Sequence, residues 1–345
     1  MMLTKSTALN TAGVCVLLCA MPLSAYGNTK SEPDLSFYGR LHVSGDYLHD
    51  GDDGGLNVSS NSSRIGLKLK YQLNSDLALL GQIERTVDIS EGGSTLSARN
   101  TFIGLQGDWG TVRAGYYDSP VKRILNAVDQ FREQVGEGRN IVRSGEMHFD
   151  RRLKSSVHYT SPTRYNLTWM AQYGTSEQAG ANTDTDNDAF STSLAYSLNE
   201  WKAIIGFEQQ SREGLETLEG TRVALIREQG AWTNALFYQH ASGMQTGTQE
   251  AFAVVAAYAL NAEYSLKGQI FYRTAKETDE LDATMITLGV NRQVNAAVKL
   301  YATVSRTDNS ELSVANVSAG GHGKTLTIIP GNDPFAVSVG IVWSF

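Results

Sequence analysis

The chain has 345 residues, of which 41% are hydrophobic, and its formal net charge is −7. This acidic balance argues against a nucleic-acid-binding surface, which needs clustered positive charge. Both cysteines lie at the start of the chain, at Cys15 and Cys19, and the six histidines show no zinc-binding spacing. Disulfides, thiol chemistry and cysteine metal sites are therefore excluded for the rest of the chain.

The N-terminus has the pattern of a secretory signal peptide. Lys5 gives a positive charge, a short apolar run follows over 12–20, and small residues occur at Ala25 and Gly27. The run is too short for a membrane helix. We expect residues 1–27 to be removed, with cleavage after Ala25 or Gly27.

Residues 28–345 are predicted to form one domain of β-strands, because apolar and polar side chains alternate with a period of two. In segment 62–74, Ile65 and Leu67 share one face, whereas Arg64 and Lys68 share the other. Sixteen such segments are predicted, near 35–49, 62–74, 76–88, 95–107, 110–117, 149–161, 165–177, 189–199, 201–212, 220–229, 231–242, 248–261, 263–276, 281–294, 296–310 and 335–345.

The last predicted strand has one strongly apolar face. Bulky apolar residues occupy every second position from Phe335 to Phe345, and mostly small residues lie between them. In a soluble protein the opposite face would carry charge toward water. The pattern is typical of a lipid-facing strand in a transmembrane β-barrel.

The connections support a barrel in an outer membrane. Tight turns alternate with long polar segments, including 50–61, 118–148, 178–188 and 311–334. Four tryptophans lie beside a tight turn or the C-terminus, as an interfacial aromatic girdle requires: Trp109, Trp201, Trp232 and Trp343. A secreted β-sandwich is the alternative, but it does not need this rhythm of loops. A barrel of sixteen strands leaves a water-filled lumen.

The segment 118–148 is the only long connection with a helical pattern. After Pro120, apolar residues recur at helical spacing: Val121, Leu125, Val128 and Phe131, with Ile124 beside them. We expect a short helix that packs its apolar face on the inner barrel wall, with an exposed flap as the alternative. The polar side carries Asp129, Glu133 and Glu137.

Several motifs along the chain resemble the general porins of Gram-negative outer membranes. They are Tyr38-Gly39-Arg40, the segments 63–68, 99–105 and 110–115, and the terminal Phe345. The resemblance implies a sixteen-stranded channel for passive diffusion of small hydrophilic solutes and ions. It also implies that a third extracellular loop folds inward, so that its acidic residues face basic residues of the wall.

The resemblance assigns the constriction residue by residue. The basic positions are Arg40, Arg64, Arg99, Arg113, Arg152 and Lys154, with Arg151 as a competitor of Arg152. The acidic positions are Asp129, Glu133 and Glu137 of the loop and Glu84 of the wall. Arg132 and Arg139 also lie in the loop, so the sign of the ion selectivity stays open.

The same resemblance implies the partners. We expect a homotrimer in contact with lipopolysaccharide and outer-membrane lipid, with loop 88–95 as a latch between subunits. Trp343 and Phe345 would be the signal read by periplasmic chaperones and the barrel-assembly machinery. No cofactor, resident metal or nucleic acid is expected, and the aspartates near 50–53 and 184–188 are interpreted as solvated loop acids rather than calcium sites.

Two other functions are considered. An outer-membrane barrel enzyme, a protease or phospholipase, would need a serine–histidine constellation, for which His148 and His158 with nearby serines are the candidates. The long loops could also serve an adhesin or a phage-receptor role.

The sequence Gly320–Thr325 superficially matches the pattern of a phosphate-binding loop. No helical pattern follows it, however, and it is assigned to the last extracellular loop.

Overall fold

The computed structural model describes residues 32–92, 96–143, 146–147, 149–175, 188–212 and 214–345. Its strands are β1 (Asp34–His49), β2 (Gly54–Ser60), β3 (Arg64–Asn74), β4 (Leu77–Thr86), β5 (Thr101–Gly107), β6 (Gly110–Asp118), β7 (Arg152–Thr160), β8 (Leu167–Gly174), β9 (Ala189–Leu198), β10 (Trp201–Gln210), β11 (Leu218–Gln229), β12 (Trp232–Ser242), β13 (Gln249–Ala259), β14 (Tyr264–Ala275), β15 (Ala283–Gln293), β16 (Val298–Asn309) and β17 (Phe335–Ser344). The predicted signal peptide lies outside the described residues.

The strands form a closed antiparallel barrel, because β1 pairs with β17 on one side and with β2 and β3 on the other. Strands β2 and β3 are two halves of one spanning strand: Val43 faces Ser60 and Arg40 faces Arg64, so the register shifts by one residue between them. This shift is a β-bulge, and Ser62 within it has a φ of 51°. Counting the two halves together gives sixteen strands, as predicted.

One predicted connection is wrong. Segment 50–61 is not a long loop, because only 50–53 forms the turn and β2 follows at once. The Oδ1 of Asp50 accepts the backbone N–H groups of Asp52 and Asp53, which closes the turn tightly. The strand was missed because its inward positions are small polar residues, which look like loop residues in a sequence.

Side chains alternate along the strands between the outer surface of the barrel and its interior. In β17, Val337, Val339, Ile341 and Trp343 are exposed on the outer surface, whereas Ala336 and Ser338 are fully buried on the inner one. The four tryptophans predicted for the girdle are all 43–50% exposed. Among the described residues, no helix is both long and apolar enough to cross a membrane.

The predicted loop helix is present as α1 (Pro120–Val128), and a short α2 (Arg139–Val142) follows. Ser119 caps α1, since its side chain accepts the N–H of Lys122, and Pro120 suits the first turn because its missing N–H would have no partner there. The apolar face of α1 is buried against β8–β12, inside the barrel. The loop is therefore folded inward, and the exposed flap is excluded.

Candidate functional site

Arg40 and Arg64 are direct neighbours on the inner wall, paired across β1 and β3. Arg99 lies just before β5 and joins the same side of the lumen through Glu84. Same-face neighbours on paired strands lie about 5 Å apart, so these cations need counterions close by. Two carboxylates supply them, one from the loop and one from the wall.

Glu133 is the loop carboxylate. Its Oε1 accepts from Arg64 at 2.8 Å, and its Oε2 lies 2.5 Å from the Nη1 of Arg40. Glu133 has a φ of 63°, a left-handed conformation that is uncommon for a residue with a side chain. Burial alone raises the pKa of Glu133, but Arg64 and Arg40 outweigh it and lower that pKa to about 2.

Glu84 of β4 is the wall carboxylate. It accepts from the Nε of Arg99 at 2.7 Å and from the hydroxyl of Tyr38 at 2.9 Å. The Nε of Arg64 lies 3.8 Å from it. Glu84 and Glu133 thus share Arg64. One continuous network along the inner wall is formed by five charged side chains: Arg40, Arg64, Arg99, Glu84 and Glu133.

Asp129 and Glu137 lie inside the loop and not at its surface. Asp129 accepts the N–H groups of Phe131 and Gly138, which closes the loop on itself. Glu137 is fully buried and accepts the N–H of Glu133 at 2.7 Å. Burial raises the pKa of both carboxyl groups despite these hydrogen bonds. These two predicted residues therefore shape the loop that presents Glu133.

A polar cavity of about 420 Å³ lies between the loop and the wall, and we call it the central cavity. Among the described residues, eight basic and three acidic side chains line it: Arg99, Lys122, Arg132, Arg139, Arg143, Arg151, Arg152, Lys154, Asp118, Glu133 and Asp150. Arg151 and Arg152 both line it, so the two candidates of the sequence are not exclusive. Lys122 and Arg152 share Asp118, at 2.6 and 3.2 Å.

Arg113 is the predicted basic residue that neither lines the central cavity nor contacts Glu84 or Glu133 in a described ion pair. Its guanidinium stacks over the rings of Phe102 and Tyr117, at 5.5 and 5.1 Å from their centroids. It also donates to the hydroxyl of Thr160. Its position on the inner face follows the predicted alternation, but the structure does not bring it to the loop carboxylates.

The structure adds a buried ion pair that the sequence did not indicate. Arg222 of β11 binds Asp150 through two parallel hydrogen bonds of 2.8 and 2.7 Å, and both side chains are fully buried. Arg222 also donates to the carbonyl of Val121, at the start of α1. The sequence gives little indication of this ion pair, since Arg222 is a single cation among many strand residues.

The last loop, residues 311–334, also folds into the lumen, which the sequence did not predict. The N–H of Gly321 donates to Glu137, and the N–H of Gly136 donates to the carbonyl of Val317 at 2.6 Å. Gly320 has a φ of 72°, and a Cβ there would collide with the Oε1 of Glu137. The glycines of this loop thus allow its backbone to lie directly against the loop 118–148.

A serine–histidine–aspartate cluster occurs in the same loop. The Oγ of Ser318 lies 2.9 Å from the Nδ1 of His322, and the Nε2 of His322 lies 3.1 Å from Asp46 on β1. All three side chains are buried, and the Ser318 hydroxyl donates to the carbonyl of Lys324. The serine is closed to substrate, so the cluster anchors the loop to the wall.

The histidines predicted for an enzymatic site do not support one. His148 lies outside the described residues. His158 is buried, with the ring of Tyr117 at its edge and the hydroxyl of Thr160 3.5 Å from its Nδ1. The hydroxyl of Ser156, two residues before His158, donates to the backbone carbonyls of Gly115 and Leu153 instead.

Comparison with known proteins gives related sequences. A family model described as Gram-negative porin matches residues 13–312. The major outer membrane protein P.IB of Neisseria lactamica is 25% identical over 228 residues, which is 65% of each chain. The chitoporin of Vibrio furnissii is 26% identical over 222 residues, 60% of each chain. The matched region thus spans less than two thirds of these relatives.

Solved structures of the same fold are also found. An anion-selective porin from Comamonas acidovorans superposes with a TM-score of 0.77 at 19% identity, over 91% of this chain and 100% of the other. The trimer form of OmpT from Vibrio cholerae gives 0.72 at 17% identity, with the same coverage. Since the family model covers most of the sequence, this chain belongs to the Gram-negative porin family.

Proposed function

We propose that this porin forms a water-filled channel through which small hydrophilic solutes and ions diffuse passively across the outer membrane. The family and the fold favour a channel rather than an enzyme. A closed barrel of sixteen strands has room for an aqueous path, and many inward side chains of the described strands are polar or charged.

The filter of this channel is the constriction between loop 118–148 and the inner wall. The contact of Glu133 with Arg40 and Arg64 carries this proposal, because it fastens an inward loop to basic residues of two adjacent strands. Arg99 and Arg152 continue the basic surface around the central cavity. Solutes must pass this narrowed, charged region, so both their size and their charge affect the rate of passage.

The charge balance favours anions. Eight cations and three carboxylates line the central cavity. Their described ion-pair partners outside it add three arginines and three glutamates, which gives eleven cations and six carboxylates: Arg40, Arg64, Arg222, Glu84, Glu137 and Glu208 are the added residues. An excess of one sign in a low-dielectric constriction raises the local concentration of ions of the other sign. One structure of the same fold is described as an anion-selective porin, which agrees with this direction.

We also propose that the functional unit is a homotrimer in contact with outer-membrane lipid and lipopolysaccharide. The trimer form of OmpT supports a trimer, and the predicted latch, loop 88–95, is described only up to residue 92. The test is the unit conductance of the purified protein in a planar lipid bilayer. Stepwise openings in groups of three would support both channel and trimer, whereas absence of conductance would refute the channel.

The role of loop 118–148 needs its own test. A chain in which 121–147 is replaced by a short glycine–serine linker should conduct more and should pass larger sugars in a liposome-swelling assay. Retained heat-modifiability on a gel would verify that its barrel is folded. An unchanged size limit in a folded barrel would refute the constriction.

Trimming the C-terminus tests the proposed assembly signal. The backbone of Phe345 exchanges hydrogen bonds with Gly39 of β1, at 2.9 and 3.0 Å, and its ring contacts Trp343 and Phe37. We expect deletion of Phe345 to slow insertion by the barrel-assembly machinery. Normal insertion kinetics of the shortened chain would refute this role.

A further inference from the structure

We propose that the central cavity binds small oxyanions that carry two or more negative charges, such as phosphate esters and di- or tricarboxylates, during their passage. This inference rests on the proposed channel function and goes beyond it, because a charge preference needs only an excess of cations. A binding site needs cations that converge, are accessible and are not already neutralised.

Two of the three carboxylates that line the central cavity are bound by cations from outside it, whereas Asp118 is bound by Lys122 and Arg152 of the lining. Glu133 is bound by Arg40 and Arg64, and Asp150 is bound by Arg222. These three arginines do not line the cavity. Among the described residues, the cations that line the cavity form no ion pair with Glu133 or Asp150; Arg132 near Glu133, and Arg139 and Arg143 near Asp150, act on the pKa of these carboxyl groups only through weaker, longer-range attraction.

Two of the lining cations are available to a solute. Arg132 and Arg143 are both exposed, and neither forms an ion pair with a carboxylate of the described residues. The contact of Arg132 is a long hydrogen bond of 3.4 Å to the carbonyl of Asn126. Arginine presents a planar set of donors that binds carboxylate and phosphate oxygens in pairs.

The remaining lining cations surround these two. Arg99, Arg139 and Arg152 each bind a carboxylate on one side, and together with Arg132 and Arg143 they border the same space. Guanidinium groups stay charged at any relevant pH. A cavity of about 420 Å³ lies within the size range of small-molecule sites. Several fixed cations around one small space favour a multivalent anion over chloride, because each added negative charge gains a further interaction.

The experiment uses the purified full-length protein in a planar bilayer in potassium chloride. Pyrophosphate, citrate and the monovalent control gluconate are added in turn to one side, and the reduction of the single-channel chloride current is measured. We expect saturable block by pyrophosphate and by citrate, at concentrations at least tenfold lower than any effect of gluconate. Block by only one of them would assign the site to phosphates or to carboxylates.

The double variant Arg132→Gln/Arg143→Gln locates the site. Its half-blocking concentration for pyrophosphate should rise at least tenfold. The matched control, Arg227→Gln/Arg292→Gln, removes two cations near the short turns, where each borders a carboxylate and an aromatic ring away from the cavity. It should leave the block unchanged.

The outcomes separate this inference from the channel function. No conductance in the wild type would refute the channel itself. A conducting wild type without saturable multivalent block would overturn the anion site and leave the channel standing. Equal block in the wild type and in the Arg132→Gln/Arg143→Gln variant would overturn the location. If that variant gives no channels, the comparison of pyrophosphate and citrate with monovalent gluconate in the wild type still decides whether a site exists.

Discussion

Arg222 and Asp150 form a fully buried ion pair with two parallel hydrogen bonds, of 2.8 and 2.7 Å. Arg222 belongs to a wall strand and Asp150 to the end of the inward loop, so the pair joins the loop to the wall opposite Arg40 and Arg64. Burial raises the pKa of Asp150, but Arg222 outweighs it and the net pKa is lowered. The loop is thus held by ion pairs at two places, at its middle through Glu133 and at its C-terminal end through Asp150.

Removal of one partner of this pair should loosen the loop. Arg222→Met leaves Asp150 buried without a counterion, and breaking such a pair costs about 3–5 kcal/mol. We expect a lower thermal unfolding temperature and noisier open-channel current. The double variant Arg222→Met/Asp150→Leu should recover most of the loss, since no charge is then left unpaired. A single variant as stable and quiet as the wild type would contradict the fastening role.

Strong acid should release the contact at the middle of the loop, between Glu133 and the wall arginines. The pKa of Glu133 is about 2 in the folded protein and near 4.5 when unperturbed, so ionised Glu133 stabilises the loop contact fully at neutral pH. This contribution declines as the pH falls below about 4.5 and is lost near pH 2. Open-channel noise should therefore rise steeply in that window.

Glu133→Gln tests the same contact at neutral pH. It removes the negative charge between Arg40 and Arg64, so noise at pH 7 should resemble that of the wild type in acid, and the preference for anions should increase. Glu263→Gln is the control, since Glu263 is an exposed carboxylate near a short turn whose partner is Arg292, 3.6 Å away. Identical behaviour of the two variants would contradict a special role of Glu133.

Mild base should weaken the preference for anions. Burial lowers the pKa of Lys122 to about 8, although Asp118 opposes this, and Arg152 and Arg139 act in the same direction as burial. Lys122 is charged below that pH and neutral above it, so the cavity loses one positive charge between about pH 7 and 9. The reversal potential under a salt gradient should move toward cations over this range.

The variant Lys122→Met should abolish that pH step. Its reversal potential at pH 7 should equal that of the wild type at pH 9, because both lack the same charge. A step of the same size in the variant would assign the titration to another group.

The contact between the two inward loops predicts a position-specific effect of alanine. Gly320 and Gly92 have the same φ of 72°, so alanine strains both backbones equally. A Cβ at Gly320 would collide with Glu137, whereas a Cβ at Gly92 meets no atom within 4 Å. Gly320→Ala should displace the last loop and raise the unit conductance, and Gly92→Ala should not. Equal conductance of both variants would contradict this contact.

The barrel was predictable from the sequence because a wall between lipid and water requires a strict alternation. The loop helix was predictable for the same kind of reason, since Val121, Leu125 and Val128 repeat at helical spacing and are all buried against the wall. Glu133, Arg40 and Arg64 came from the resemblance to porins, and the structure brings them together.

The remaining contacts were not predictable because they depend on how two loops meet inside the barrel. Asp129 and Glu137 read as pore-facing acids on the polar side of the loop, yet their carboxylates bind backbone N–H groups and are buried. The glycines near Gly320 carry no periodic signal, and their role appears only beside Glu137. Strand β2 was missed because its inward residues are small and polar.

The most direct test of the charged constriction is the reversal potential of the purified protein in a planar bilayer under a potassium chloride gradient. The wild type is compared with a variant in which Arg64, Arg99 and Arg152 are changed to Gln. We expect the wild type to prefer chloride and the variant to shift toward potassium, because three cations of the constriction are lost while Glu84, Glu133 and Asp118 remain. A conducting variant with the selectivity of the wild type would contradict the proposed constriction.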